Sequence, residues 1–294
     1  MRSGKRKPRH RKRLSKPAAK ASLRLDGQSP NLKGPVYRPK CMVEQTAATP
    51  ASEAETKPAR NPRPAPEAEE VYRRWISHLD EEFTRHQAAE RRAEIVRDQL
   101  YQLYLGRPHG GKLNFTLTSE LPLNVVSLSL DPGNITLEAG HYQDVDPGRF
   151  EASKPLLWFW KMFDRSPIGL NHWLGIRFRC MLGRHLFAKM GKGVRIDHGV
   201  ELVFGYNVTI EDGVIIRERA LLDDRAPIRL GAGAVIGNYA RIYTHTHEEK
   251  DYDKVIFAET SIGAKARVGA HTVVLAGTTL ADGQIVGPQG TAQK

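Results

Sequence analysis

The chain has 294 residues, a net charge of +12 and a pI near 9.7, enough length for one large domain or two smaller ones. Its two cysteines, Cys41 and Cys180, stand far apart with no CxxC or metal-type spacing, which excludes a disulfide framework and points to a reducing compartment. No apolar run is long enough to span a bilayer and the basic start lacks the apolar core of a signal peptide, so a soluble cytoplasmic protein is expected.

Residues 1–70 are rich in Lys, Arg, Pro, Ala and Glu, and ten of the first twenty are Lys or Arg. Such a segment buries too little apolar surface to offset its ordering entropy, and a disordered basic tail is expected. It is suited to anionic surfaces, although no aromatic residue precedes Tyr37 to stack on a nucleic-acid base.

Residues 71–190 form the next region. Tyr72, Trp75, Ile76, Leu79 and Phe83, then Val96, Leu100, Leu103 and Tyr104, recur at helical spacing and predict one helix over 71–105, stopping at Gly106. From Leu113 to Leu137 the period changes to two, and Asp131-Pro132-Gly133-Asn134 is a turn signal, so a small β-hairpin is expected. Residues 155–190 return to helical character as two aromatic-rich segments separated by Pro167 and Gly169. They are placed to cover the open end of whatever follows; a basic, Trp-containing helix pair also suits a membrane surface.

Residues 191–294 repeat every six. Aliphatic residues return at Ile262, Val268, Val274, Leu280 and Val286, and the same beat runs through Ile210, Ile216 and Leu222, then Leu230, Ile236 and Ile242. Six fits neither an amphipathic helix nor an alternating strand. It fits a three-sided coil with one inward aliphatic residue per side, hence a mainly β chain ending in a left-handed parallel β-helix of roughly five coils. The steps from Leu202 to Ile210 and from Leu222 to Leu230 are eight; that from Ile242 to Ile262 is twenty, read as three hexads plus two residues. This last interval holds a polar run from Thr244 to Asp253, which predicts a loop leaving the prism beside His245 and His247.

With hexads, loop and the run Tyr243-Thr244-His245-Thr246-His247, residues 184–294 resemble the hexapeptide-repeat acyltransferases, especially the sugar O-acetyltransferases. The resemblance implies an acetyl-CoA-dependent transfer to a sugar or glycan hydroxyl, with no permanently bound cofactor and no metal, in a homotrimer whose acyl-CoA lies between adjacent prisms. Carried over by position, His247 is the general base and His245 flanks or assists it. Asp223, Asp224 and Tyr243 are expected to face the acceptor, with Asp224 favoured. Ala270, Gly287 and Pro288 would follow the pantetheine arm, and Lys294 would lie near the nucleotide phosphates.

The chemistry suits these residue types. A neutral imidazole titrating near neutrality takes the hydroxyl proton as the oxygen attacks the thioester, and a rigid coil holds both substrates against it. Glu248, Glu249 and Asp251 are candidates to orient the imidazole, while His198 and His271 fall on coil surfaces. Two histidines two residues apart, with His271 distant, do not have the spacing of a zinc site. The other reading the residues allow is a catalytically silent β-helix scaffold.

Overall fold

The computed structural model describes residues 63–110, 113 and 116–294. The tail expected over 1–70 lies outside the described residues as far as position 62, and from Pro66 the chain is already helical.

The single helix expected over 71–105 is two, α1 (Pro66–Arg85) and α2 (Ala89–Leu105). The break falls in the stretch without large apolar residues, where nothing holds a continuous helix against a core. Polar side chains satisfy the freed carbonyls instead. Gln87 Nε2 donates to Phe83 O at 2.8 Å, and the buried Arg92 donates from Nε to His86 O at 3.0 Å. Gly106 closes α2 in the left-handed conformation at φ 64°, its N–H bonded to Gln102 O.

The hairpin expected between Leu113 and Leu137 is not formed. The described residues there make a 3-10 turn at Thr118–Glu120, the helix α3 (Leu121–Ser129) and two further 3-10 turns at Pro132–Asn134 and Glu138–His141. Short apolar runs do not distinguish strand from helix. Pro122 sits in the first turn of α3, where its missing N–H is harmless, whereas within a ladder it would leave a gap. The turn signal itself is real, since Asp131 accepts from Gly133 N at 2.9 Å.

The two aromatic helices are α4 (Pro147–Arg165) and α5 (His172–Leu186), parted by a 3-10 turn at Pro167–Leu170. Phe163 and Phe178 stack at 3.7 Å between them, with Trp75 of α1 against Phe178 at 5.4 Å. Both helices seal the first coil of the solenoid. Trp160 Nε1 donates to Val200 O at 2.8 Å, Cys180 Sγ to Val194 O at 3.1 Å, and Leu186 packs where a Cβ on Gly205 would stand.

The solenoid has three parallel faces of five strands each. The first face stacks Lys189–Met190, Val208–Ile210, Ile228–Leu230, Thr260–Ile262 and Thr279–Leu280. The second stacks Arg195–Ile196, Ile215–Ile216, Val235–Ile236, Arg267–Val268 and Ile285–Val286. The third stacks Glu201–Leu202, Leu221–Asp223, Arg241–Tyr243, Val273–Val274 and Thr291–Ala292. The aliphatic beat is the core: from Ile196 to Leu280 the twelve inward residues are at most 3% exposed, each worth roughly 1.5–3 kcal/mol of burial. Corners are tight. A Cβ on Gly237 would stand 2.6 Å from Gly269 C, and Gly213 turns its corner at φ 70°.

One count is corrected. Thr260–Ile262 pairs directly with Ile228–Leu230, so the interval from Ile242 to Ile262 is one corner bearing a long insertion, not three further hexads. Inside it, His245–His247 and Val255–Phe257 form an antiparallel hairpin outside the prism. Polar residues there cannot enter an aliphatic core, so the chain leaves and returns at the same corner.

Candidate active site

The site is built where the third face turns into the first. Three successive corners there are long, and each is tied to the next by a buried polar side chain. Asp224 is wholly buried; its Oδ1 accepts from Val203 N at 3.1 Å and Phe204 N at 2.9 Å, and its Oδ2 from Asn207 N at 3.2 Å. Burial pushes its carboxyl up to about 6, against the pull of those amides. The acceptor-facing role expected for Asp224 is therefore corrected: the carboxylate holds a corner and has no exposed surface. One coil on, buried Thr244 donates from Oγ1 to Asp223 O at 2.6 Å and accepts from Ala226 N at 2.8 Å.

Asp223 points the other way. It lies opposite Tyr243 in the strand register, and its Oδ2 is 3.0 Å from His245 Nδ1. Its Oδ1 is buried without a protein partner. Burial raises its carboxyl above the usual range, with His245 and Arg225 acting against that rise. Arg225 is itself paired with Asp144, Nε to Oδ2 at 3.2 Å, and lies over the rings of Tyr142 and Phe257 at 4.3 and 5.0 Å.

His247 is held by its own hairpin. Its Nδ1 is 2.6 Å from Tyr252 O, and its ring stacks on Tyr252 at 4.3 Å with planes 8° apart. A carbonyl only accepts, so Nδ1 carries the proton and the neutral ring keeps its lone pair on Nε2. His245 stands edge-on to it at 5.8 Å. The carboxylates expected to orient the imidazole do not: Glu248 pairs with Lys254 at 2.6 Å, and Glu249 and Asp251 are exposed.

A groove of about 480 Å³ brings Tyr243, His245, His247, Leu275, Ala276 and Lys294 together. Ala270, Gly287 and Pro288 do not line it. They sit at the corner between the second and third faces, where Thr272 Oγ1 donates to Gly287 O at 2.8 Å and Gly269 packs on Pro288. Among the described residues no group of three or more His, Cys, Asp or Glu is arranged to hold a metal ion. Two contributors escaped the sequence reading, Thr244 and the carbonyl of Tyr252. Both act through backbone geometry, although Thr244 stood inside the run already singled out.

No family model matches the chain. It is 29% identical over 119 residues to WcaF of Escherichia coli K12, provisionally assigned as a colanic acid biosynthesis acetyltransferase, covering 40% of this chain and 65% of that one. It is 28% identical over 169 residues to the serine acetyltransferase of Salmonella typhimurium LT2, covering 49% and 56%. The chain thus spans less than two thirds of the length of these curated relatives. Among solved structures, the maltose O-acetyltransferase of Clostridium difficile 630 superposes with a TM-score of 0.43 at 18% identity, over 50% of this chain and 76% of that one. The hexapeptide solenoid and the two sequence relatives make the chain similar to the hexapeptide-repeat acetyltransferases.

Proposed function

We propose that the chain is an acyl-CoA-dependent O-acyltransferase that moves an acetyl group from acetyl-CoA directly to a sugar or glycan hydroxyl. The observation that carries this reading is the contact of His247 Nδ1 with Tyr252 O, which directs Nε2 away from the hairpin backbone, in a groove that also holds His245 and Lys294. Nε2 takes the acceptor proton as the hydroxyl oxygen bonds to the thioester carbonyl carbon. The tetrahedral intermediate then expels the thiolate, which leaves with that proton as free CoA thiol. The products are an O-acetyl ester and CoA, and no bond to the enzyme is formed. Asp223, with His245 against it and Oδ1 unpartnered, is the polar anchor for the acceptor, and Lys294 supplies a cation for the donor's phosphates.

Ala270, Gly287 and Pro288 fit a donor role only across subunits, where the corner of one prism meets the groove of the next; a homotrimer is part of the proposal. No helix among the described residues is long and apolar enough to cross a membrane. A cytoplasmic site of action, where CoA thioesters are made, completes the reading. The E. coli relative's assignment to colanic acid is in keeping with a glycan acceptor.

The test is thiol release from acetyl-CoA across a panel of sugars and glycan precursors, with wild type and His247→Ala. Removing a general base is expected to lower acceptor-dependent release by about 10²–10⁴-fold. Release that survives the substitution moves the base elsewhere. Failure of CoA to bind at all leaves the silent scaffold.

A further inference from the structure

A second cavity, of about 450 Å³, lies between α4 and the third face of the solenoid. It adjoins the proposed site. Leu221 and Arg241 line it, and they stand two residues before Asp223 and Tyr243 on the same two paired strands. Side chains two apart on a strand share a face, roughly 7 Å apart by the strand rise.

Its charge is unbalanced. Lys161, Arg165, Arg219 and Arg241 line it against Asp164 and Glu201. Asp164 is already committed, 2.6 Å from the buried Arg179 and accepting from Gly199 N at 2.8 Å. None of the four cations makes an ion pair among the described residues. Lys161 is half-buried, and its Nζ reaches only Leu202 O at 3.4 Å; burial draws its ammonium below the ordinary range. Glu201 acts on that ammonium from across the cavity without forming an ion pair, and a bound anion would offset the remaining cost of burial.

Its rim is a regular corner of the solenoid. Arg219 and Tyr239 adopt positive φ, at 56° and 59°, as do Gly199, His271 and Gln289 at the same corner of other coils. The Arg219 guanidinium lies 5.9 Å from the Tyr239 ring, which stacks on His271 at 4.8 Å and remains 43% exposed. This corner holds an open aromatic face beside a guanidinium that makes no ion pair among the described residues.

We propose that this cavity receives an anionic group, phosphate or carboxylate, carried by the acceptor, with Lys161, Arg219 and Arg241 as counter-charges and Tyr239 as the flat rim for the sugar ring. The acceptor is then an acidic sugar rather than a neutral one. The claim about the reaction rests on the acyl-transfer reading; the claim that the cavity binds an anion does not.

Two measurements on the full chain separate these claims. Calorimetric titration with inorganic pyrophosphate is expected to show a binding event weakened about tenfold or more in Arg219→Ala and in Arg241→Ala. Both residues are exposed, so neither truncation opens the core. Binding that is absent from wild type, or unchanged in both variants, overturns the cavity. In the thiol-release assay, a hexose, its phosphate and its uronate are compared as acceptors. The phosphate or the uronate is expected to exceed the neutral sugar at least tenfold in kcat/KM, with that preference lost in the double variant and the KM for acetyl-CoA unmoved. The two charged acceptors distinguish phosphate from carboxylate. Equal use of charged and neutral sugars, or a raised KM for acetyl-CoA in the double variant, overturns the proposal. If no acceptor is turned over, acyl transfer fails while the pyrophosphate titration still decides the cavity.

Discussion

Asp223 and Asp224 are neighbours in the chain with opposite tasks, and Asp224→Asn separates them. In the folded protein the Asp224 carboxyl is raised from the ordinary 3.8 to about 6, because burial outweighs the three backbone amides that point at it. A folded pKa above the unfolded one means that the native state binds the extra proton. The group's contribution to stability is therefore fully present below pH 3.8 and is lost as pH rises through about 6. The whole span is worth roughly 3 kcal/mol, of which roughly 2 kcal/mol falls above pH 4.5. Asparagine is neutral like the protonated acid and keeps one acceptor oxygen for Val203 and Phe204, but its Nδ2 faces the Asn207 N–H donor to donor and gives up that third bond. The lost bond is a constant offset, so between pH 4.5 and pH 8 the variant should gain on wild type by roughly 2 kcal/mol in urea unfolding. Thiol release should be unaffected once both are folded, since the side chain does not reach the groove. If wild type instead gains on the variant as pH rises, the amides hold the carboxylate below 3.8 and the burial reasoning is wrong.

Asp223→Asn should share the direction in unfolding, since burial raises that carboxyl too, but should also lose acceptor-dependent thiol release by about 10–100-fold, within the range for a single charge-assisted contact. Because burial raises the Asp223 carboxyl, wild-type activity should climb with pH as that group ionises, and the variant should lack that limb; an unaltered pH–rate profile removes Asp223 from the site. Thr244→Val keeps the shape but strands the Asp223 carbonyl and the Ala226 amide, costing about 2–3 kcal/mol of stability. A midpoint shift in denaturant too small for one lost bond would show that water replaces the hydroxyl.

The solenoid was legible because one inward aliphatic residue per six is a signal that neither helix nor ordinary strand imitates. The aromatic helices were legible for the same reason, at a different period. The hairpin expected from Leu113 to Leu137 failed where the signal was weakest. Leu121, Leu123, Val125 and Val126 remain 40% exposed or more, so no buried face selected one period over the other. At the candidate site, the Thr-His-Thr-His run marked where the chain leaves the prism, but the surroundings of the two acids were not readable. Asp223 and Asp224 alternate across a strand end. Only the position of the Val203–Asn207 corner beneath decides which carboxylate is spent on backbone amides. The cationic cavity was invisible for a related reason: Lys161, Arg219 and Arg241 are scattered over eighty residues, and the packing of α4 on the coils is what gathers them.

The places where the repeat miscounts explain why the proposed site lies where it does. Every departure from six falls at one corner, between the third face and the first: Leu202 to Ile210, Leu222 to Leu230 and Ile242 to Ile262. The inward residues on either side remain buried, so the core tolerates extra residues only by expelling them outward. Expelled backbone then needs partners, and each long corner takes them from its neighbours: Asp224 serves the corner below, Thr244 the corner holding Asp223, and Thr260 Oγ1 closes on Tyr243 O at 2.7 Å. The third corner carries the longest insertion, with no further long corner above it to cover it. It alone escapes as a hairpin, and it carries the two histidines. A regular corner has no loose residues to present a base, and an untied one would not hold its Nε2 in place. A ladder of tied corners ending in one free hairpin satisfies both requirements, with His245 against Asp223 and the proposed base, His247, beside it on the same hairpin.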